Sequence, residues 1–203
     1  MAIREESVSE VLDLLDWKRQ VFALYGAVRA ESDPRAAWER WREVRAALFR
    51  DHPQSPRPGL PRLQYFAYDL AWRFLAEVVP AEPERRLIAG SGPEPVAATR
   101  FARARFGEWE LELFWLEAYG GGLFLPFRDA TSGSETYGAG RYLLDTTKGA
   151  DLGTNSGRLV LDFNFAYNPS CAWDDGWACP LAPPANRLPV RIEGGELSPP
   201  RSK

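Results

Sequence analysis

From Val8 to Val28 the apolar residues Val8, Val11, Leu12, Leu15, Phe22, Tyr25 and Val28 return at helical spacing, and Ser7 or Ser9 can cap the start. A second helix is predicted from Asp33-Pro34, where Asp caps the first amides and Pro takes the first helical position. Its apolar face is Trp38, Trp41, Val44, the alkyl stem of Arg45, and Leu48. Basic residues alternate here with Glu39 and Glu43, so the pair reads as a lid or buttress, not a DNA reader. Four prolines in 51–61 exclude helix and central strand, leaving a crossing loop. That loop carries the single histidine, His52, which reads as a cap or surface group at the helix end.

Past the prolines the period falls to two. Phe66, Tyr68, Leu70, Trp72 and Phe74 share one side, which predicts a long strand or two strands joined by a bend. Turns are predicted at 80–83 and 91–95, then strand from Ala97 to Phe106, a Gly107-Glu108 break, and a strand carrying Trp109, Leu111, Leu113 and Trp115 on one face. Gly120, Gly121 and Gly122 turn the chain into Leu123, Leu125 and Phe127; without a following Lys-Ser/Thr pair they are a loop, not a phosphate cradle. Leu159, Leu161, Phe163, Phe165 and Tyr167 form a last apolar row, with Asp162 and Asn164 on the other face of the same strand and Asn168-Pro169 ending it. Strands joined by short glycine turns, with no helical crossovers, imply an antiparallel sheet. The expected fold is α+β, mainly β: two N-terminal helices on a curved antiparallel sandwich or barrel. The 203 residues read as one domain, with 1–51 a helical extension and 62–197 the β core.

Composition trims the function classes. A net charge of -3 gives no overall basic footprint, so nucleic-acid binding through Arg100, Arg103 and Arg105 ranks last among the readings. The charged amino terminus lacks the apolar stretch of a secretory signal, no run reaches the length of a membrane span, and the reading is a cytoplasmic protein. Cys171 and Cys179 are expected to be structural thiols; a bridge across their short loop would constrain the unfolded chain by about 2–3 kcal/mol. Two thiols and one histidine do not make a zinc framework, and no metal or cofactor is expected. Walker, dinucleotide, zinc-protease and nucleophile-elbow motifs are absent from the sequence.

The chemistry concentrates in 127–188. Asp129, Glu135 and Asp162 supply acids, Arg141 a guanidinium, Asn164 and Asn168 amides, and Tyr137, Tyr142 and Tyr167 phenols, all set among large apolar residues. Such groups are costly to bury unless they satisfy one another or bind something, which leaves two readings. In one they line a cavity; in the other they form a closed network that fixes loops. Arg141 suits a bidentate carboxylate contact on either reading.

Three spans, FxDxTSGxETYGxGRYL at 127–143, DFNxAYNPxCA at 162–172 and CPLxPPxNRLPV at 179–190, resemble a bacterial family numbered sixteen-eighty-four among the domains of unknown function. The likeness extends upstream into 41–56 and departs at Arg57, where an apolar residue is expected. The resemblance implies soluble, uncharacterised relatives without an agreed activity or cofactor. It marks which residues matter, Asn186 among them, without saying why.

The first hypothesis is a cofactor-free isomerase, cyclase or hydrolase, or a small-molecule-binding protein, with its pocket in the mouth of the sheet under the helices. Glu135, Asp162 and Tyr142 are the candidate catalytic groups. Arg141, Asn164, Asn168, Tyr137, Tyr167 and Asn186 are the candidate substrate contacts. The expected partner is a small molecule, with a homodimer as the oligomer in view and no nucleic acid or membrane. The rival is an interaction module in which the polar set pairs with itself and Trp173 and Trp177 meet a partner.

Overall fold

The structure, a computed structural model, describes residues 8–60, 62–117 and 119–200. Helix α1 (Val8–Ala30) turns through 31–33 into α2 (Pro34–Asp51), whose first turn is capped as expected by the Asp33 carboxylate, which accepts from the Arg35 amide at 2.9 Å. Of the two cap candidates for α1, Ser9 lies inside the helix and Ser7 outside the described residues, as does Pro61 of the proline loop. The apolar stripe of α1 divides. Leu24, Tyr25 and Val28 are buried, whereas Val8, Val11, Leu12 and Leu15 stay exposed. On α2, Trp38, Trp41, Leu48 and Phe49 are buried, and Trp41 meets Phe165 edge-on at 5.3 Å.

Seven strands form one antiparallel sheet: β1 (Arg73–Ile88), β2 (Val96–Phe106), β3 (Trp109–Leu116), β4 (Gly122–Phe127), β5 (Arg141–Asp145), β6 (Thr154–Asn155) and β7 (Arg158–Asp162), in the order β5-β4-β3-β2-β1-β7-β6. The sheet curls into a half-barrel. Its far edges are tied by chain leaving β7: the Tyr167 amide donates to the Tyr142 carbonyl of β5 at 3.0 Å, and the Tyr142 amide returns the bond at 2.9 Å. The α+β, mainly β expectation therefore stands. The Gly107-Glu108 hairpin forms where predicted, with Gly107 at φ +55° between the paired Phe106 and Trp109.

Two elements differ from the alternation. The stretch predicted as strand from Phe66 is irregular until Asp69, whose carboxylate accepts from the Ala71 amide and starts a 3-10 turn (Leu70–Trp72); β1 begins only at Arg73. The turn predicted at 80–83 is instead a bulge inside β1, since the pairing with β2 jumps from Pro80 to Glu84. Bulged, unpaired positions suit prolines, which have no amide to give the ladder. Likewise β7 stops at Asp162, which caps a 3-10 turn (Phe163–Phe165), so the predicted row to Tyr167 is a short strand followed by a turn.

Candidate functional site

The polar residues of the C-terminal half divide into two neighbourhoods and a few outliers. In the first, β5 begins at Arg141, whose side chain is 1% exposed. Its guanidinium donates to the carbonyls of Ile192 at 3.1 Å and Glu196 at 3.3 Å, and also to that of Gly194. Asp129 lies 3.6 Å away, and the Phe127 ring centroid 5.1 Å. Asp129 is fully engaged, accepting from the Thr131 and Ser132 hydroxyls and, at 2.7 Å, from the Ile192 amide. Gly195, at φ +81°, makes this approach feasible, because a Cβ there would collide with the Ala166 carbonyl. Burial pulls the guanidinium pKa down to about 10, against the pull of Asp129 and Glu196.

Glu196 extends this network. Its carboxylate pairs with Arg45 of α2 at 2.5 Å and accepts from the Asn168 amide at 2.8 Å, while Asn168 Nδ2 donates to the Leu197 carbonyl. Tyr142 donates its hydroxyl to the Pro180 carbonyl and packs edge-on against Phe124 and Tyr167. Asn186 is buried and spans two strands: its Oδ1 accepts from the Glu112 amide at 2.8 Å, and its Nδ2 donates to the Glu112 and Pro126 carbonyls. Tyr137 sits farther out, its hydroxyl 3.9 Å from Cys171 Sγ; burial and that thiol push its pKa up to about 12. Cys171 and Cys179 are free and buried. Glu135 lies at the surface, paired with Arg191 at 2.6 Å.

The second neighbourhood lies across the sheet. Asp162 is 1% exposed and faces Arg73 as its register partner between β7 and β1, with Arg73 Nε 3.7 Å from Asp162 Oδ2. Asn164 holds the other oxygen: its amide and Nδ2 donate to Asp162 Oδ1 at 3.1 and 2.8 Å. Asn164 is itself locked, with Nδ2 donating to the Asp69 carbonyl, Oδ1 accepting from the Asp69 amide, and its carbonyl accepting from Trp38 Nε1. Among the described residues, nothing donates a hydrogen bond to Asp162 Oδ2. Burial therefore outweighs the two bonds and Arg73, and raises the carboxyl pKa to about 6.

Asp162 and Arg73 line a cleft of about 400 Å³ between the α1–α2 turn and the β6–β7 hairpin, together with Arg29, Ser32 and Thr154. That size falls in the usual range for small-molecule sites, roughly 300–1,000 Å³. The structure thus brings Asp162 and Asn164 together and sets them apart from Arg141, Asn168 and Tyr142; Glu135 stands away from both groups. Arg73 was missed by sequence reasoning. The cue was there, a cation on the strand that pairs with Asp162, but reading it needed the register. The expected helix-end role of His52 is met, since it C-caps α2; its Nδ1 accepts from the Gln54 amide, and its Nε2 lies 3.3 Å from Asp16. Among the described residues no group of three or more His, Cys, Asp or Glu could hold a metal ion, and no helix is long and apolar enough to cross a membrane.

A half-barrel of seven antiparallel strands, buttressed by a helical hairpin and carrying, among the described residues, two buried carboxylates with an unpartnered oxygen, Asp145 and Asp162, defines the class. Residues 59–197 match the family described as "Protein of unknown function (DUF1684)", and the chain belongs to it. The match leaves α1 and α2 outside. The solution structure of an uncharacterized protein from Haloarcula marismortui is similar, at 30% identity and a TM-score of 0.56, covering 80% of this chain and 93% of that one. No curated protein matches the chain.

Proposed function

We propose that the chain is a cofactor-free small-molecule-binding protein, of the isomerase, cyclase or hydrolase type if it turns its ligand over, and that the cleft beneath the α1–α2 turn is its site. The observation that carries this reading is Asp162: a carboxylate buried to 1% exposure, one oxygen held by Asn164, the other without a hydrogen bond, at a cleft wall. With its pKa raised to about 6, such a group exchanges a proton near neutral pH, as a general acid or base must. Asn164 orients it. Arg73, whose guanidinium makes no hydrogen bond among the described residues, takes the anionic or carbonyl group of the ligand in the role first expected of Arg141. The rival reading, a self-satisfied network that fixes loops, fits the Arg141 neighbourhood, where guanidinium and carboxylate spend their bonds within the chain.

A panel of small carboxylates and carbonyl compounds, followed by backbone amide NMR, tests the site. Binders should perturb signals around Arg73, Thr154 and Asp162, and lose affinity at least tenfold in Arg73→Ala and Asp162→Asn that remain folded. Hits that bind both variants as tightly as the parent chain, or a panel that perturbs none of these signals, would sink the reading.

A further inference from the structure

Cys171 and Cys179 stand at the two ends of the segment CAWDDGWAC, and the fold brings their side chains together. A 3-10 turn (Ser170–Ala172) carries the first cysteine. A tight turn follows, in which the Gly176 amide donates to the Asp174 carboxylate at 2.7 Å and the Trp177 amide to the Asp174 carbonyl at 3.3 Å. The turn between β1 and β2 fastens the far end. Ser91 donates through its hydroxyl to the Trp177 carbonyl and through its amide to the Cys179 carbonyl, and its hydroxyl accepts from the Cys179 amide, each at 2.9 Å. The result is a pair of buried thiols, 5% and 1% exposed, hydrogen-bonded to each other and free of a disulfide.

The two sulfurs are not equivalent. Cys171 collects hydrogen bonds from the Cys179 thiol and from the hydroxyls of Ser91 and Tyr137, the last at 3.9 Å, and these lower its pKa against the effect of burial. Cys179 spends its proton on Cys171, and this bond together with burial raises its own pKa. Cys171 is thus the sulfur that takes the negative charge, and the thiolate is the nucleophile. Access favours it too. Ala172, its chain neighbour, and Tyr137, its hydrogen-bond partner, line an open cleft of about 710 Å³ together with Arg57, Trp173 and Asp174, so Cys171 sits directly behind that wall. Only a small oxidant reaches a sulfur so placed.

We propose that these two cysteines form a reversible, peroxide-sensitive dithiol, in which Cys171 is the sulfur that reacts with hydrogen peroxide and Cys179 resolves it to a disulfide. In the first step the Cys171 sulfur attacks the peroxide: an S–O bond forms, the O–O bond breaks, and the departing hydroxide takes up a proton as water, leaving a sulfenic acid. In the second the Cys179 sulfur attacks that of Cys171: the S–S bond forms, the S–O bond breaks, and hydroxide leaves with the Cys179 proton as a second water. Two electrons pass from the thiols to the peroxide, and a dithiol reductant returns them. Closing the sulfurs from contact to about 2 Å needs a small shift of the loop, which the exposed residues 174–176 can absorb.

The test uses the full chain, reduced, freed of reductant and exposed to hydrogen peroxide, with the remaining thiols alkylated and the chain weighed by mass spectrometry. The expected product is an internal bridge between Cys171 and Cys179, formed at least tenfold faster than in the same chain unfolded in urea and reversed by dithiothreitol. Cys179→Ser should stop at a sulfenic acid on Cys171 that dimedone traps, and Cys171→Ser should consume peroxide at least tenfold more slowly than Cys179→Ser. A folded chain oxidised no faster than the unfolded one, equal rates in the two variants, or bridges between chains in place of the internal one would overturn the proposal and leave two packed thiols. If a serine variant does not fold, limited alkylation of the parent chain with iodoacetamide decides in its place: peptide mapping should find the label first on Cys171, and a label that is absent, equally shared or on Cys179 is equally fatal.

Discussion

Arg141–Asp129 and Arg73–Asp162 are two arginine–aspartate pairs at almost the same separation, 3.6 and 3.7 Å, with opposite surroundings. Around the first, two hydroxyls and an amide meet both carboxylate oxygens and three carbonyls meet both terminal guanidinium nitrogens, leaving only Arg141 Nε without a partner among the described residues; bonding of this extent is what a buried pair needs before it repays its desolvation. Around the second, one carboxylate oxygen is left without a donor, and the arginine side chain is 26% exposed at a cleft. Near-complete bonding marks the first pair as the clamp that holds 192–196 to the sheet edge. Incomplete bonding at the second stores a cost in the folded state, as binding and catalytic sites commonly do.

Arg141→Ala strikes the comparison hardest. It should leave Asp129 buried without its counter-ion and three carbonyls without a donor, lowering stability by about 3–5 kcal/mol in chemical denaturation; a loss below about 1 kcal/mol would show that the clamp holds nothing. Asp162→Asn should act in the opposite sense. The carboxyl titrates near 3.8 unfolded and at about 6 folded, so between these values the native state keeps a proton that the unfolded chain has released. Stability of the parent chain should therefore fall as pH rises from about 4 to about 6, by at most about 3 kcal/mol, and stay lower above that window. The asparagine variant, measured by thermal melts across the same range, should lack this fall and equal or exceed the parent at pH 7.5; an unchanged slope would mean that Asp162 is not the titrating group.

Asn186→Ala sharpens the contrast from the scaffold side, since it strips partners from the Glu112 amide and from two carbonyls. A loss of about 1–3 kcal/mol is expected by urea denaturation, with no change in the pH slope assigned to Asp162. Glu135→Gln should do least. Its partner Arg191 is half exposed, so denaturation midpoints should correspond to a change within about 0.5 kcal/mol.

Much of the scaffold was legible because local rules decided it. Asp33-Pro34 starts a helix by capping chemistry that needs no distant residue, and Gly107-Glu108 turns a hairpin through the backbone freedom of one glycine. The errors fell where a polar side chain competed with the alternation. Asp69 and Asp162 each accept an amide two residues on and fold a 3-10 turn out of what reads as strand. Polar density in 127–188 did mark groups that are buried and bonded, but grouped them wrongly: Arg141 and Asp162, 21 positions apart in sequence, serve separate neighbourhoods, while Asp162 and Arg73 meet across 89 positions.

By itself the sequence determined the helical pair, the antiparallel mainly β class and the inventory of groups available for chemistry, since periodicity, caps and turns act over a few residues. The tertiary structure decided which of those groups are satisfied. Register between β1 and β7 sets Arg73 opposite Asp162, and the return of 192–196 to β5 engages both terminal nitrogens of Arg141. Whether a buried charge is quenched or left reactive depends on partners brought from far along the chain, and residue order carries that information only once the chain has folded.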